Sequence, residues 1–138
     1  MSPTERWFPS HLREIGSAEC LELLASHQIG RVAYCDERGP VVLPVNYVLR
    51  DGDILFQTSP RSTLARYLKS GPASFQIDDY DEYTQSGWSV LVRGDAAYIE
   101  SDDLPPEDDR PTAWAEGMRS FHVRIKPFDI SGRRLLPS

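Results

Sequence analysis

Hydroxyl and guanidinium groups cluster in residues 57–66, which have the sequence QTSPRSTLAR. Arg61 can pair with two phosphate oxygens, and Thr58, Ser62 and Thr63 can donate hydrogen bonds from hydroxyls or backbone amides. Ser62 suits the N-cap of a following helix, and a helix N-terminus offers unpaired N–H groups to an anion. A phosphate site and a plain capped helix, for which Ser62 alone suffices, both agree with this pattern.

No recognisable catalytic motif occurs elsewhere in the chain. The sequence lacks a G-x-S-x-G elbow, a Walker loop and an H-E-x-x-H zinc motif. His11, His27 and His122 have no metal-ligand spacing, and we expect them at the surface or at helix ends. Cys20 and Cys35 form neither a disulfide framework nor a zinc pattern. We therefore expect no metal site and no catalytic side chain, and we do not expect an unaided hydrolase.

Size and charge restrict the class of protein. The 138 residues suffice for a single domain with one hydrophobic core. The net charge of −6 disfavours binding to nucleic acid or to anionic membranes, because both require a basic surface. No stretch approaches the roughly 20 apolar residues of a membrane span, and the first residues lack the apolar core of a signal peptide. We expect a cytoplasmic protein.

Apolar periodicity predicts the elements that would position the hydroxyl-rich segment. A short helix is predicted from Ser17, its N-cap, to about His27, and a second from Ser62 to a stop at Gly71 and Pro72. Strands are predicted over residues 29–35, 41–50, 53–59, 73–80, 88–100 and 121–130. Because no β-α-β rhythm occurs, the sequence predicts a mostly β protein, an antiparallel six-stranded barrel with short peripheral helices.

Three further features concern the edges of this barrel. Residues 1–16 are expected to be an N-terminal extension, and the acidic, proline-rich residues 101–112 a surface loop. Pro44 interrupts a strand and cannot donate a ladder hydrogen bond. It is therefore expected at a sheet edge, at a bulge, or where the backbone turns toward something else, and this is a first hint of a site.

Five pieces of the sequence, in this order and spacing, resemble the pyridoxamine 5'-phosphate oxidase-like superfamily of flavin-binding split β-barrels. The pieces are a leading helix followed by IGRVAY, then GPVVLPVNYV, DGDILFQTSPRSTLARYL, the strand FQID, and GWSVLVRGDA. They are most similar to the small nitroimidazole-reductase-like members. The resemblance implies a single domain over residues 1–138, a six-stranded Greek-key split barrel, a homodimer, and two flavin sites at the subunit interface.

The resemblance also implies which residues contact the cofactor. The implied set is Pro44, Val45, Asn46, Tyr47, Phe56, Gln57, Thr58, Arg61, Ser62, Thr63, Trp88 and Ser89. Ordinary core packing is the alternative for Trp88, and Arg93 needs an anionic partner only if it is buried. The family commonly has a lysine where this chain has Thr63, which leaves FMN, the deazaflavin F420 and haem as possible ligands.

These observations predict an FMN-binding oxidoreductase that transfers hydride or electrons through the flavin to an unknown small molecule. An F420-dependent reductase on the same fold is one alternative. A non-enzymatic protein that binds flavin or haem is the other.

Overall fold

Seven strands and two helices make up the described part of the chain. The structure is a computed structural model, which describes residues 12–58, 63–68, 70–111 and 121–136. The strands are β1 (Leu12–Ile15), β2 (Ile29–Asp36), β3 (Gly39–Arg50), β4 (Asp53–Thr58), β5 (Ser70–Asp81), β6 (Ser86–Tyr98) and β7 (Phe121–Leu135). The helices are α1 (Ser17–Ser26) and α2 (Thr63–Tyr67), and short 3-10 turns cover Ser101–Asp103 and Glu107–Asp109. Within these ranges, no helix is both long and apolar enough to cross a bilayer.

The strands form one antiparallel sheet that closes on itself. Their order is β1-β7-β4-β3-β2-β5-β6, and β6 also pairs with β7. Strands β2 to β7 therefore form a closed ring, and β1 adds to β7 outside it. The chain passes from the β2–β3–β4 meander to β5, which lies beside β2, and this is a Greek-key connection. The predicted six-stranded antiparallel barrel with peripheral helices is confirmed.

The barrel is split between β2 and β5. These strands pair only where Arg31–Ala33 faces Ser74–Gln76. Beyond Ala33, β2 pairs with β3 alone, and residues 70–73 of β5 pair with β6 alone. The two strands therefore separate at this point and leave a groove between them.

Alternating side chains fill the barrel, and α1 closes one end. Phe56, Phe75 and Leu24 of α1 are fully buried. The Tyr47 hydroxyl donates a hydrogen bond to the carbonyl oxygen of Leu24 at 2.6 Å. Gly30 has to be a glycine, because a Cβ there would lie 2.2 Å from the ring of Phe75. Close packing thus holds α1 against the barrel and fixes the start of β2.

The second helix is shorter than predicted. It ends at Tyr67, and Gly71 and Pro72 belong to β5 instead of stopping the helix. Gly71 has a φ of +138°, which a glycine adopts easily. Because β5 pairs with β2 only from Ser74 onward, Pro72 lies on a local sheet edge, where a missing N–H group is tolerated.

A β-bulge interrupts the pairing of β6 with β7. Strand β7 has one extra residue, Phe128, between the partners of Arg93 and Gly94. Gly94 permits this arrangement, since a Cβ there would lie 2.4 Å from the carbonyl oxygen of Lys126. Bulges redirect the side chains around them, and Phe128 is 68% exposed.

The connection after β6 covers part of the outer barrel surface. The acidic side chains of residues 101–109 face solvent, but Pro105 and Pro111 are buried. Asp109 pairs with Arg50 of β3 at 3.2 Å. This segment, residues 99–111, is therefore attached to the barrel. Of the expected N-terminal extension, Leu12–Ile15 forms β1, and residues 1–11 lie outside the described residues.

Candidate functional site

Exposed apolar side chains cluster on neighbouring parts of β2 and β3. Ile29 is 54% exposed and Val42 is 60% exposed. Leu43 and Pro44 are also exposed. Asn46 pairs with Ile29 across the ladder, so an amide side chain borders this apolar surface. Arg31, the ladder partner of Pro44, lies on the same face with its side chain half-exposed and paired with Asp78. Exposed apolar side chains grouped in this way are typical of a binding or subunit interface.

Two groups of predicted site residues, 44–47 and 56–58, lie side by side. Tyr47 of β3 pairs with Phe56 of β4, which places the end of β4 beside the middle of β3. Thr58 is the last residue of β4, so the hydroxyl-rich segment begins at this edge. The structure therefore brings together two groups of residues that the sequence only suggested were related.

Because successive side chains of a strand point to opposite faces, these residues are divided between the inner and outer faces of the sheet. Val45, Tyr47 and Phe56 are buried in the barrel core. Burial raises the pKa of the Tyr47 hydroxyl, which stays protonated and hydrogen-bonded. Pro44 and Asn46 belong to the opposite, outer face. A ligand on the outer face would meet side chains at 44 and 46, but only the backbone at 45 and 47.

Gln57 links this surface to the 99–111 segment. Its Nε2 atom donates a hydrogen bond to the carbonyl oxygen of Pro111 at 2.6 Å. The amide that the resemblance assigned to the cofactor wall thus holds a neighbouring chain segment in place. Sequence reasoning missed this role, because Pro111 lies far from Gln57 along the chain.

His122, the ladder partner of Gln57, is buried although we expected it at the surface. Its ring is 4% exposed, and its Nε2 atom has no hydrogen-bond partner in the part of the chain that the structure describes. Burial, and then the nearby charge of Arg110, lower the pKa of His122. The prediction for His122 was wrong because the 99–111 segment covers a strand face that alternation alone assigns to solvent.

Trp88 and Ser89 lie away from the surface formed by residues 42–47 of β3 and 56–58 of β4, which we call the β3–β4 surface. Trp88 is half-buried against the core and meets the ring of His27 edge-on, with centroids 5.0 Å apart. Ser89 points the other way, into a separate groove of about 500 Å³. Strands β2 and β5 lie between Ser89 and Asn46, which puts them roughly 14 Å apart at the usual strand spacing. The single chain therefore does not bring these residues together.

The predicted phosphate contacts fall mostly outside the described residues. Arg61 and Ser62 are not among them. Thr63 is the first residue of α2, and only its backbone is described. The predicted contribution of these residues to a phosphate site stays a prediction.

A comparison with protein families establishes what kind of chain this is. Residues 16–134 match the family model described as pyridoxamine 5'-phosphate oxidase. The chain belongs to the pyridoxamine 5'-phosphate oxidase family. The matched range includes the β3–β4 surface, both helices and all of the barrel strands except Leu135.

Individual proteins and solved structures that are similar to this chain extend the comparison. The uncharacterized protein Rv0080 of Mycobacterium tuberculosis is 27% identical, over 99% of this chain and 96% of its own length. The FAD binding protein from Mycobacterium smegmatis has a TM-score of 0.70 at 27% identity, over 90% of this chain and 98% of its own. The FAD and heme binding protein from Mycobacterium smegmatis has a TM-score of 0.68 at 16% identity, over 91% of this chain and 73% of its own. The barrel is thus shared with proteins that bind flavin or haem.

The residues of this family member fit a flavin. An isoalloxazine ring is flat, with an apolar end and a pyrimidine edge that donates and accepts hydrogen bonds. Val42 and Pro44 offer apolar surface to the ring, and the Asn46 amide can donate and accept at its edge. The chemistry of the available groups therefore agrees with the cofactor that the resemblance implies.

Proposed function

We propose that this protein binds FMN on the outer face of β3 and β4 and serves as a flavin-dependent oxidoreductase. The observation that carries the proposal is the exposed apolar surface of Ile29, Val42 and Pro44 next to the Asn46 amide, in a member of this family. A bound flavin supplies the hydride or electron transfer to a small-molecule substrate.

The protein's own part is to bind and orient the ring. Asn46 hydrogen-bonds the pyrimidine edge, and Pro44 packs against the ring without presenting an N–H group of its own. Gln57 acts indirectly, because its bond to Pro111 keeps the 99–111 segment close to β4. The site thereby gains a wall that limits access of water from that side.

A second copy of the chain would complete this site. The groove that contains Ser89 is also lined by Arg13, Arg133 and Glu14, so the Ser89 hydroxyl lies near two cations and one carboxylate. In a homodimer, this groove of one protomer would face the β3–β4 surface of its partner. Light scattering at micromolar concentration should then give twice the chain mass of 15.6 kDa. A single-chain mass under these conditions would count against the composite site.

The phosphate of FMN is assigned to the segment with Arg61, Ser62 and Thr63. Arg61 supplies the charge that the lysine of other family members provides, and the hydroxyls supply further donors. FAD and F420 also carry phosphate groups, and haem lacks them, so the ligand has to be identified directly.

The deciding experiment is purification of the protein without added cofactor. The absorption spectrum and mass spectrometry of the released ligand should identify FMN; release of F420, FAD or haem would replace FMN in the proposal. Apo-protein should then be titrated with the ligand found. Asn46→Ala should weaken binding about tenfold, the usual effect of losing a net hydrogen bond of about 1 kcal/mol or slightly more.

A matched control is available for the asparagine variant. Gln85→Gly removes an exposed amide in the β5–β6 turn, at a φ of +56° that suits glycine. It should leave the affinity unchanged. Equal affinities of the wild type and Asn46→Ala would place the cofactor elsewhere on the barrel.

A further inference from the structure

A second groove, separate from the β3–β4 surface, opens where β2 and β5 separate. Its floor is the first half of β5, residues 70–74. One wall is formed by β2, the start of β3 and Tyr67 of α2, and the other by β6 and Phe128 of β7. Its volume is about 530 Å³, which lies within the range of small-molecule sites, roughly 300–1,000 Å³.

The walls of this groove are apolar and aromatic. Tyr34 and Tyr67 stack with their ring centroids 6.3 Å apart and an angle of 28° between the planes. Phe128, the extra residue of the β7 bulge, is 68% exposed on the opposite wall. Pro40 and Pro72 add two further flat surfaces. These surfaces suit a flat, apolar ring system.

Arg93 is the only charged residue among the described residues that line the groove. It is exposed, and no ion pair joins it to a carboxylate in the described ranges. Asp129 faces it across the β6–β7 ladder without forming such a pair. Glu37, near the groove, is instead engaged by Tyr67 at 2.7 Å and by Arg66 at 3.3 Å. In a chain with a net charge of −6, this groove therefore presents a single positive charge to a ligand.

The backbone of the groove adds polar groups that no sheet partner uses. In the described part of the chain, residues 70–73 of β5 have no ladder partner on the β2 side. Gly94 keeps the bulge in place, since any Cβ would meet the carbonyl oxygen of Lys126. The bulge in turn positions Arg93 and Phe128 on the same wall. The charge of Arg93, the ring of Phe128 and the backbone groups of β5 that have no partner on the β2 side therefore all line the same groove.

We propose that this groove binds a small aromatic carboxylate, with its ring between the tyrosines and Phe128 and its carboxylate on Arg93. The guanidinium fork matches a carboxylate, and a flat ring covers the exposed face of Phe128. This site adjoins the proposed flavin site on β2 and β3 but is distinct from it, because none of the residues that line the groove is among the proposed flavin contacts.

The test uses the purified full chain, with naphthoate as the probe and the neutral naphthamide as its isostere. Backbone amide NMR signals of Ser70, Gly71 and Ala73 should shift on adding naphthoate. The exposed thiol of Cys35 lies in the groove, and Cys20 is fully buried. Reaction of Cys35 with a thiol reagent should therefore slow as naphthoate binds, which gives a second readout.

Matched variants separate charge from ring contacts. Arg93→Gln should weaken naphthoate binding about tenfold or more and leave naphthamide unaffected. Phe128→Ala should weaken both probes. Arg38→Gln, which removes an exposed arginine in the β2–β3 turn outside the groove, should change neither.

Three results would overturn the proposal. The first is an absence of amide shifts and of Cys35 protection at millimolar naphthoate. The second is an equal loss of affinity in Arg93→Gln and Arg38→Gln, which would mean that the probe responds to net charge alone. The third is competition between naphthoate and the flavin, which would make the groove part of the cofactor site.

Discussion

The amide of Gln57 donates a hydrogen bond to the carbonyl oxygen of Pro111 at 2.6 Å, and the two residues lie on segments 54 positions apart. This bond ties the 99–111 segment to β4, beside the apolar surface of β3. Asp109 makes a second attachment to Arg50. Because exposed ion pairs contribute little, the Gln57 bond is the stronger of the two attachments.

Replacing Gln57 should therefore loosen the 99–111 segment. In Gln57→Ala the carbonyl oxygen of Pro111 loses its donor, and the free energy of unfolding should fall by about 0.5–1.5 kcal/mol. Urea unfolding of the full chain measures this change. Gln28→Ala, which removes an exposed amide elsewhere, should leave it unchanged. A Gln57→Ala protein as stable as the wild type would mean that the segment is held by other contacts.

The folded protein should become less stable as the pH falls, because His122 is protonated less readily in the folded chain than in the unfolded chain. The pKa of His122 is lowered in the folded protein, so below about pH 6.5 the unfolded chain binds this proton more readily than the folded chain. The free energy of unfolding should fall from that pH downward, by at most about 1.4 kcal/mol per pH unit. Urea unfolding at pH 7.5 and pH 5.5 measures the difference. His122→Phe should reduce this dependence, and an unchanged dependence would assign it to other groups.

Gly94 should tolerate no larger residue. In Gly94→Ala the new Cβ would collide with the backbone at Lys126, so the bulge has to shift. We expect a loss of about 1–3 kcal/mol, typical of overpacking. Gly16→Ala is the control, since nothing lies within 4 Å of a Cβ there and its φ is −68°. Similar stabilities of the two variants in thermal unfolding would show that the bulge adapts.

Trp88 should matter for the stability of the fold. Trp88→Ala removes its packing on the core and its contact with His27, and an aromatic pair contributes about 0.5–1.5 kcal/mol beyond burial. Chemical unfolding should show a clear loss of stability, whereas Tyr83→Ala should show none, because Tyr83 is 96% exposed. If Trp88→Ala weakened flavin binding without loss of stability, the tryptophan would serve the cofactor alone.

The phosphate assignment predicts opposite effects at two positions. Arg61→Ala should weaken FMN binding about ten- to a hundredfold, since hydrogen bonds to charged groups contribute about 1.5–3 kcal/mol. Thr63→Lys should strengthen it, and less so at high salt. Riboflavin, which lacks the phosphate, is the matched ligand and should respond to neither change. Equal losses for FMN and riboflavin in Arg61→Ala would make Arg61 a support of the loop.

Local sequence patterns predicted most of the strands. Both the alternation of apolar and polar residues and the Asp51-Gly52 turn depend only on residues that are close together in the sequence. The same patterns failed where distant segments decide the outcome. Nothing near His122 in sequence indicates that the 99–111 segment covers it. The helix boundaries were also less exact: the N-cap of α1 is Gly16, and the predicted N-cap Ser17 is the first helical residue.

The candidate site was predicted in part for the same reason. The grouping of 44–47 with 56–58 follows from a hairpin, which is a local feature. The side that each residue faces follows from strand alternation, which places Val45 inside and Asn46 outside. The link between Gln57 and Pro111 and the bulge at Phe128 depend on contacts across the barrel, and a single sequence carries no direct sign of them.

The short ladder between β2 and β5 also gives the barrel a preferred line of weakness. The β4–β7 ladder extends from Ile54 to Thr58, whereas the β2–β5 ladder extends only from Arg31 to Ala33. Local opening of the barrel should begin along the shorter ladder, because fewer hydrogen bonds hold these two strands together. The amide protons of residues 31–33 that bond across it should exchange with deuterium before those in the middle of β6, which pairs on both sides along most of its length.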